Sequence, residues 1–68
     1  MNQHKIKFNA PTYEFVSGEC EVELPENYTP WDVANAIAEH LTESGYFTDG
    51  PTIDSAIDVG FGSAEITP

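Results

Sequence analysis

Residues 28–33 read YTPWDV, and this short run carries the start signals of an α-helix. Thr29 is a favoured N-cap, because its hydroxyl oxygen can accept a hydrogen bond from an unpaired amide of the first turn. Pro30 falls at the first helical position, where the N–H that proline lacks has no helical partner. Asp32, three residues after the cap, completes a capping-box pattern and places negative charge at the positive end of the helix. The run therefore predicts a helix that begins at about Pro30.

The spacing of apolar residues predicts how far this helix extends. Val33, Ile37 and Leu41 recur every four residues, which is typical of an amphipathic helix with one face on a core. Gly45 is a natural left-handed stop, so we expect the helix to end at about Ser44. A second stripe of the same helix is acidic and contains Asp32, Glu39 and Glu43.

Alternation of apolar and polar residues predicts strands on both sides of the helix. His4–Phe8 is predicted as a first strand with Lys5 and Lys7 on its outer face. Thr12–Val16 and Glu19–Leu24 are predicted as a hairpin around a tight connection at residues 17–18. In that register the apolar side chains share one buried face, which holds Tyr13, Phe15, Cys20, Val22 and Leu24.

The segment after the helix also alternates. Ala56–Phe61 is predicted as a strand, and Ala64–Thr67 as a short edge strand. The predicted order is β-β-β-α-β with a further short β, and the fold class is α+β, an antiparallel sheet with one helix on its apolar face. Because the chain has 68 residues, we expect a single domain over 1–68 with a small core.

Charge is the most unusual property of the sequence. Twelve Asp and Glu stand against two Lys and no Arg, which gives a formal net charge of −10. Both lysines, Lys5 and Lys7, precede every acidic residue in the chain. Such a chain repels nucleic acid and anionic lipid, so we expect it to bind neither directly and to attract basic proteins instead. The alternative is that the acidity only keeps a small protein soluble.

The expected location follows from the cysteine and the N-terminus. Cys20 is the only cysteine, so no disulfide forms within the chain, which favours a reducing compartment. Residues 1–5 lead into no apolar run, and no stretch approaches the roughly 20 apolar residues of a membrane span. We therefore expect a cytoplasmic protein without a signal peptide or a transmembrane segment.

The search for catalytic or metal-binding motifs is negative. Cys20 and His40 are the only cysteine–base candidates, but Cys20 falls on the apolar side of its strand, where cysteine usually acts as a small hydrophobe. The histidines and Cys20 lack the spacing of zinc ligands. The pattern of a calcium loop is not matched by Asp49, Asp54 and Asp58. A calcium-binding module is therefore a weaker hypothesis than the two functions described below. We expect a non-enzyme without a cofactor or a metal site.

The acidic residues form two regular rows. Along the third predicted strand, Glu19, Glu21 and Glu23 project from one face at intervals of about 6.6 Å, and Glu14 is expected opposite Glu21. The acidic stripe of the helix forms the second row, with Trp31 beside it or in the core. A row of anions on a firm scaffold is similar to what a nucleic-acid backbone presents to its binding proteins.

In charge and size the chain resembles the class of small acidic nucleic-acid mimics, many of them phage-encoded and directed against host or defence enzymes. The first hypothesis is therefore an inhibitor that occupies the basic groove of a DNA- or RNA-handling protein, in the host cytoplasm if it is phage-encoded. The residues expected to contact that partner are Glu14, Glu19, Glu21, Glu23, Trp31, Asp32, Glu39 and Glu43. The second hypothesis is an assembly module, such as a small homodimer, whose function lies on a sheet edge or on exposed aromatic residues. The sequence leaves open whether Trp31, Tyr46 and Phe47 belong to the core or to a contact surface.

Overall fold

The computed structural model describes residues 2–68, which form three strands and two helices. The elements are β1 (Asn2–Ala10), β2 (Val16–Leu24), α1 (Pro30–Glu43), α2 (Gly50–Asp58) and β3 (Ser63–Thr67). The strands form one antiparallel sheet in the order β2-β1-β3. The predicted α+β class with an antiparallel sheet is confirmed, whereas the order β-β-β-α-β and the single helix are wrong.

The predicted hairpin around residues 17–18 does not form. β2 runs straight through Gly18 and pairs with β1, so that Phe8 lies opposite Gly18 and Ile6 lies opposite Cys20. A Cβ at Gly18 would lie 3.2 Å from Cζ of Phe8. The absence of a side chain at Gly18 leaves space above β2 for the Phe8 ring. Gly18 therefore permits this close contact and does not form a turn.

Residues 11–15, most of the predicted second strand, form the connection between β1 and β2. The Thr12 hydroxyl donates to the carbonyl oxygen of Glu14 and accepts a hydrogen bond from the Glu14 N–H at 3.1 Å. Because this segment leaves the sheet, the predicted burial of Tyr13 and Phe15 is wrong; they are 72% and 50% exposed. The predicted inward direction of Cys20 is confirmed.

Helix α1 begins and ends as its sequence signals predict. The Asp32 N–H donates to Oγ1 of Thr29 at 3.3 Å, and the Thr29 N–H donates to Oδ2 of Asp32 at 2.8 Å, which completes the capping box. Gly45 has φ 95°, and the Tyr46 N–H donates to the carbonyl of Leu41 at 2.9 Å. This hydrogen bond and the left-handed glycine form a Schellman C-cap.

Helix α2 replaces the strand predicted at residues 56–61. The carboxylate of Asp49 accepts a hydrogen bond from the Thr52 N–H at 2.7 Å and so caps the first turn. Gly60, with φ 80°, ends the helix, and the Phe61 N–H donates to the carbonyl of Ala56 at 2.8 Å. These two caps satisfy backbone groups at the ends of α2. In a strand, the same groups would need hydrogen bonds to a neighbouring strand.

The core lies between the two helices and the inner face of the sheet. It combines the apolar stripe of α1, one residue of α2 and inward residues of β1 and β2, and its fully buried large side chains are Ile6, Ile37, Leu41 and Ile53. The predicted short strand at residues 64–67 is confirmed within β3, which pairs with the other edge of β1. Among residues 2–68, no helix combines the length and the apolar character that crossing a bilayer needs.

Candidate partner-binding surface

The outer face of the sheet carries charges of both signs. The exposed Lys5 and Lys7 lie on the central strand β1, directly opposite Glu21 and Glu19 of β2. Glu65 of β3 faces Lys7 from the other side. Nζ of Lys5 lies 3.8 Å from Oε2 of Glu19, diagonally across the two strands. The lysines therefore neutralise part of the strand row.

This arrangement corrects the expected position of Glu14. The residue opposite Glu21 is Lys5, not Glu14, which lies in the exposed connection between β1 and β2. Opposed glutamates would destabilise a two-stranded ladder, whereas opposed lysine and glutamate stabilise it. The observed register thus replaces a repulsive pair with an attractive one.

The helix row and part of the strand row meet along one cleft. Glu39 and Glu43 of α1 lie across from Glu21 and Glu23 of β2, and together they line an open cleft of about 320 Å³. The remaining lining residues are Val22, Ala36 and His40. We call this feature the acidic cleft. Parts of two rows that are separate in the sequence therefore line one cleft, and its lining residues include no lysine or arginine, while Lys5 lies opposite Glu21 on the outer face of the sheet.

Four of the expected contact residues lie outside the lining of the acidic cleft, and one of them, Glu19, lies on the outer face of β2 within 3.8 Å of Lys5. The carboxylate of Asp32 accepts hydrogen bonds from both the N–H and the hydroxyl of Thr29, at 2.8 and 3.1 Å, so its role is to cap α1. Glu14 lies in the connection that precedes β2. Trp31 lies in the first turn of α1 and is 44% exposed.

The edge of β2 is the feature that sequence reasoning missed. Within residues 2–68, β2 is hydrogen-bonded to β1 on one side, and its other edge pairs with no strand. The edge is nine residues long, and Glu19, Glu21 and Glu23 lie on its outer face. An open edge presents unpaired backbone N–H and C=O groups, and charged side chains on it discourage pairing with identical edges. The perfect alternation of residues 19–24 predicted this strand but not which of its edges stays open, because the predicted hairpin paired it with residues 12–16 and not with β1.

Aromatic residues on the loops pack in two pairs, of which three residues are exposed and Tyr46 is half-buried against the core. The rings of Phe15 and Phe61 pack edge to face with centroids 5.1 Å apart, and the rings of Tyr13 and Tyr46 lie 6.1 Å apart. We call these four residues the aromatic surface. Phe47, next to Tyr46, is 90% exposed, so it belongs to the surface and not to the core. Large exposed apolar side chains grouped in this way are typical of interaction surfaces.

The candidate nucleophile and base, Cys20 and His40, both pack against the core. Cys20 is buried in the core, and burial raises the pKa of its thiol, which lowers the fraction of reactive thiolate. The ring of His40 packs edge to face on Phe8, with centroids 5.8 Å apart. Among residues 2–68, no three His, Cys, Asp or Glu side chains are grouped so that they could hold a metal ion.

Comparison of the chain with protein family models, with curated proteins and with solved structures found no match. Function is therefore inferred from the residues and their arrangement alone.

Proposed function

We propose that this chain is an acidic protein-binding inhibitor that occupies the basic groove of a DNA- or RNA-handling protein. The observation that carries the proposal is the acidic cleft, whose lining includes four glutamates of β2 and α1 and no lysine or arginine. A groove that binds nucleic acid is lined by Lys and Arg that neutralise phosphates. Carboxylates held on a strand and a helix offer such a groove the same sign of charge on a firm scaffold.

We propose that the centre of this contact is the acidic cleft and not the outer face of the sheet. On the sheet face, Lys5 and Lys7 lie among the glutamates of β2 and β3. On the helix side of β2, the neighbouring charged residues are Glu39 and Glu43 of α1, and the lining of the acidic cleft includes no lysine. The helix side of β2 therefore has the stronger negative potential, and we expect the partner's cations to concentrate there.

The proposed place of action is the compartment that holds the partner, which is the host cytoplasm if the chain is phage-encoded. The single cysteine supports a reducing compartment, since Cys20 is buried and free.

An assembly module is the second candidate function, and the aromatic surface supports it. Phe15 and Phe61 are half exposed or more, yet they pack against each other. If these residues join two copies of the chain, sedimentation will show a dimer that the double variant F15S/F61S converts to a monomer. A monomeric parent chain would contradict this candidate.

The test of the inhibitor proposal is direct competition with DNA. The chain is immobilised, incubated with lysate at low salt, and the bound protein is identified and purified. We expect double-stranded DNA and the chain to displace each other from that protein, and the affinity to fall as salt rises. A captured protein that binds DNA and the chain at the same time would contradict the proposal.

A variant pair makes the test specific to the acidic cleft. The cleft variant changes Glu21, Glu23, Glu39 and Glu43 to glutamine. Its matched control removes the same number of charges elsewhere, by E26Q, D54N, D58N and E65Q. Asp32 stays unchanged because its carboxylate caps α1. We expect the cleft variant to lose most of the affinity and the control to lose little; equal losses would mean that net charge alone drives binding.

A further inference from the structure

The open edge of β2 offers backbone hydrogen bonds as well as charge. β2 is nine residues long, and within residues 2–68 its pairing is limited to β1. At about 3.3 Å per residue, the edge spans roughly 30 Å, which is long enough for a full additional strand. Extended segments commonly bind proteins by adding a strand to such an edge.

Carboxylates lie on both sides of the place that an added strand would take. Glu19, Glu21 and Glu23 project from the outer face of β2. On the inner side, the acidic cleft next to β2 is bounded by Glu39 and Glu43 of α1. Side chains of an added strand alternate between the two faces, so both of its faces would meet negative charge.

The charge determines which strand fits. A second copy of β2 would bring its glutamates beside those of the first, which is unfavourable in a ladder. A strand that carries lysine or arginine would make the pairing that already exists on the other side of β2, where Lys5 and Lys7 lie opposite Glu21 and Glu19. The complementary occupant is therefore a basic extended segment.

We infer that the β2 edge binds an extended Lys/Arg-rich segment of the partner as a fourth strand of the sheet. The inference rests on the proposed function and names its mode of recognition: backbone pairing fixes the segment, and the carboxylates on both faces select its positive charge. A basic arm or tail of a nucleic-acid-binding protein has this chemistry.

The test uses a nine-residue peptide that alternates lysine and threonine, in three forms. The first form is unmodified, the second is N-methylated at every lysine, and the third at every lysine and every threonine. All three carry the same charge, but alternate amides of a strand point to opposite edges. We expect the unmodified peptide and the form methylated at lysine alone to bind, since the latter keeps one free amide edge. The other methylated form should bind at least about tenfold more weakly, because it loses several backbone hydrogen bonds.

Two further measurements locate the bound peptide. On binding, amides of residues 16–24 should gain protection from hydrogen exchange. The variant E19Q/E21Q/E23Q should bind the unmodified peptide several-fold more weakly, whereas the matched control D54N/D58N/E65Q, with its changes on α2 and β3, should bind it nearly as the parent does. Circular dichroism of both variants checks that they remain folded.

The possible failures of the two proposals differ. If both methylated peptides bind as well as the unmodified one, contact is by charge alone; strand addition is then wrong, while the DNA competition still decides the groove proposal. If no lysine peptide binds at low salt, or if β2 amides are already protected in a dimer, strand addition is also wrong. If strand addition is observed but DNA fails to compete with the captured partner, the inference stands and the groove proposal fails.

Discussion

Gly62 and the backbone of Asn9 approach so closely that no side chain fits between them. A Cβ on Gly62 would lie 2.9 Å from the carbonyl oxygen of Asn9 and 3.1 Å from Cδ of Pro11. The contact joins the segment before β3 to the end of the central strand β1. Because the obstructing atom belongs to the backbone of a strand paired on both sides, it has little freedom to move aside.

The first prediction follows from this contact. Gly62→Ala should lower the free energy of unfolding by about 1–3 kcal/mol, since the backbone of β1 or of the incoming loop must shift. Urea unfolding followed by Trp31 fluorescence measures the change. The matched control is Ser63→Ala at the next, exposed position, which we expect to change stability by less than about 0.5 kcal/mol. A neutral Gly62→Ala would show that the loop adapts at no cost.

The second prediction concerns the cap of α1. Thr29→Ala should lower the free energy of unfolding by about 1 kcal/mol, because the Asp32 N–H loses its acceptor. Thr29→Ser keeps the hydroxyl and serves as the control, with a much smaller loss expected. Equal stability of the alanine and serine variants in chemical unfolding would mean that the capping box contributes nothing.

The third prediction is a pH dependence at the cap of α2. Hydrogen bonds from Thr52, first from its side chain and then from its backbone, hold the pKa of Asp49 below its usual value. A carboxyl whose pKa is depressed by folding stabilises the fold above its unfolded pKa of about 3.9, and this contribution is lost as the pH falls through the folded value. Asp49→Asn keeps an N-cap acceptor but does not titrate.

Melting curves of the parent and of Asp49→Asn between pH 6 and pH 2 check this dependence. We expect the parent to lose more stability than the variant on acidification, with the difference developing below about pH 4. If the two curves fall in parallel over the whole range, the Asp49 carboxylate does not contribute through its charge.

The fourth prediction concerns the excess of acidic residues. Added sodium chloride should raise the melting temperature, because twelve acidic residues with two lysines repel one another and salt screens that repulsion over about 10 Å at 0.1 M. Melting at low and at moderate salt measures the effect. The variant with Glu21, Glu23, Glu39 and Glu43 changed to glutamine should show a smaller rise. A melting temperature that falls with salt would show that attractive pairs such as Lys5–Glu19 dominate.

The fifth prediction contrasts a surface aromatic residue with a core residue. Phe15 is half exposed, so Phe15→Ala should cost far less than the 3–5 kcal/mol typical of a buried phenylalanine. Ile37 is fully buried, and Ile37→Ala should cost about 2–5 kcal/mol. Chemical unfolding of the two variants under the same conditions compares them. A loss at Phe15 as large as that at Ile37 would place Phe15 in the core.

Helix α1 could be predicted from the sequence because its boundaries depend on neighbouring residues. Thr29, Asp32 and Gly45 act within one turn of the positions that they cap, so no distant part of the chain is needed to interpret them. The faces of residues 19–24 were predictable for the same reason, since alternation alone determines which side chains share a face. The outward direction of Glu19, Glu21 and Glu23 followed from it.

Helix α2 carried the same kind of local signals, but its apolar pattern was ambiguous. Asp49, Pro51 and Gly60 mark a helix start and stop, and Ile53 and Ile57 lie four residues apart. Over a short segment the same residues also satisfy an alternation of two, and burial in the tertiary structure is what separates the two periods. A strand at this segment would also have needed a free edge of the sheet to pair with. The second edge of β1 is occupied by β3.

The pairing of β2 and the shape of the candidate surface depended on contacts between residues far apart in the chain. Gly18 is equally suited to a turn and to a strand position beneath an aromatic ring. The approach of Phe8 in the tertiary structure selects the strand position. The acidic cleft exists because α1 packs beside β2, which brings Glu39 and Glu43 near Glu21 and Glu23. Local residue patterns determine helix ends and strand faces, whereas strand partners and clefts depend on which distant surfaces bury one another best.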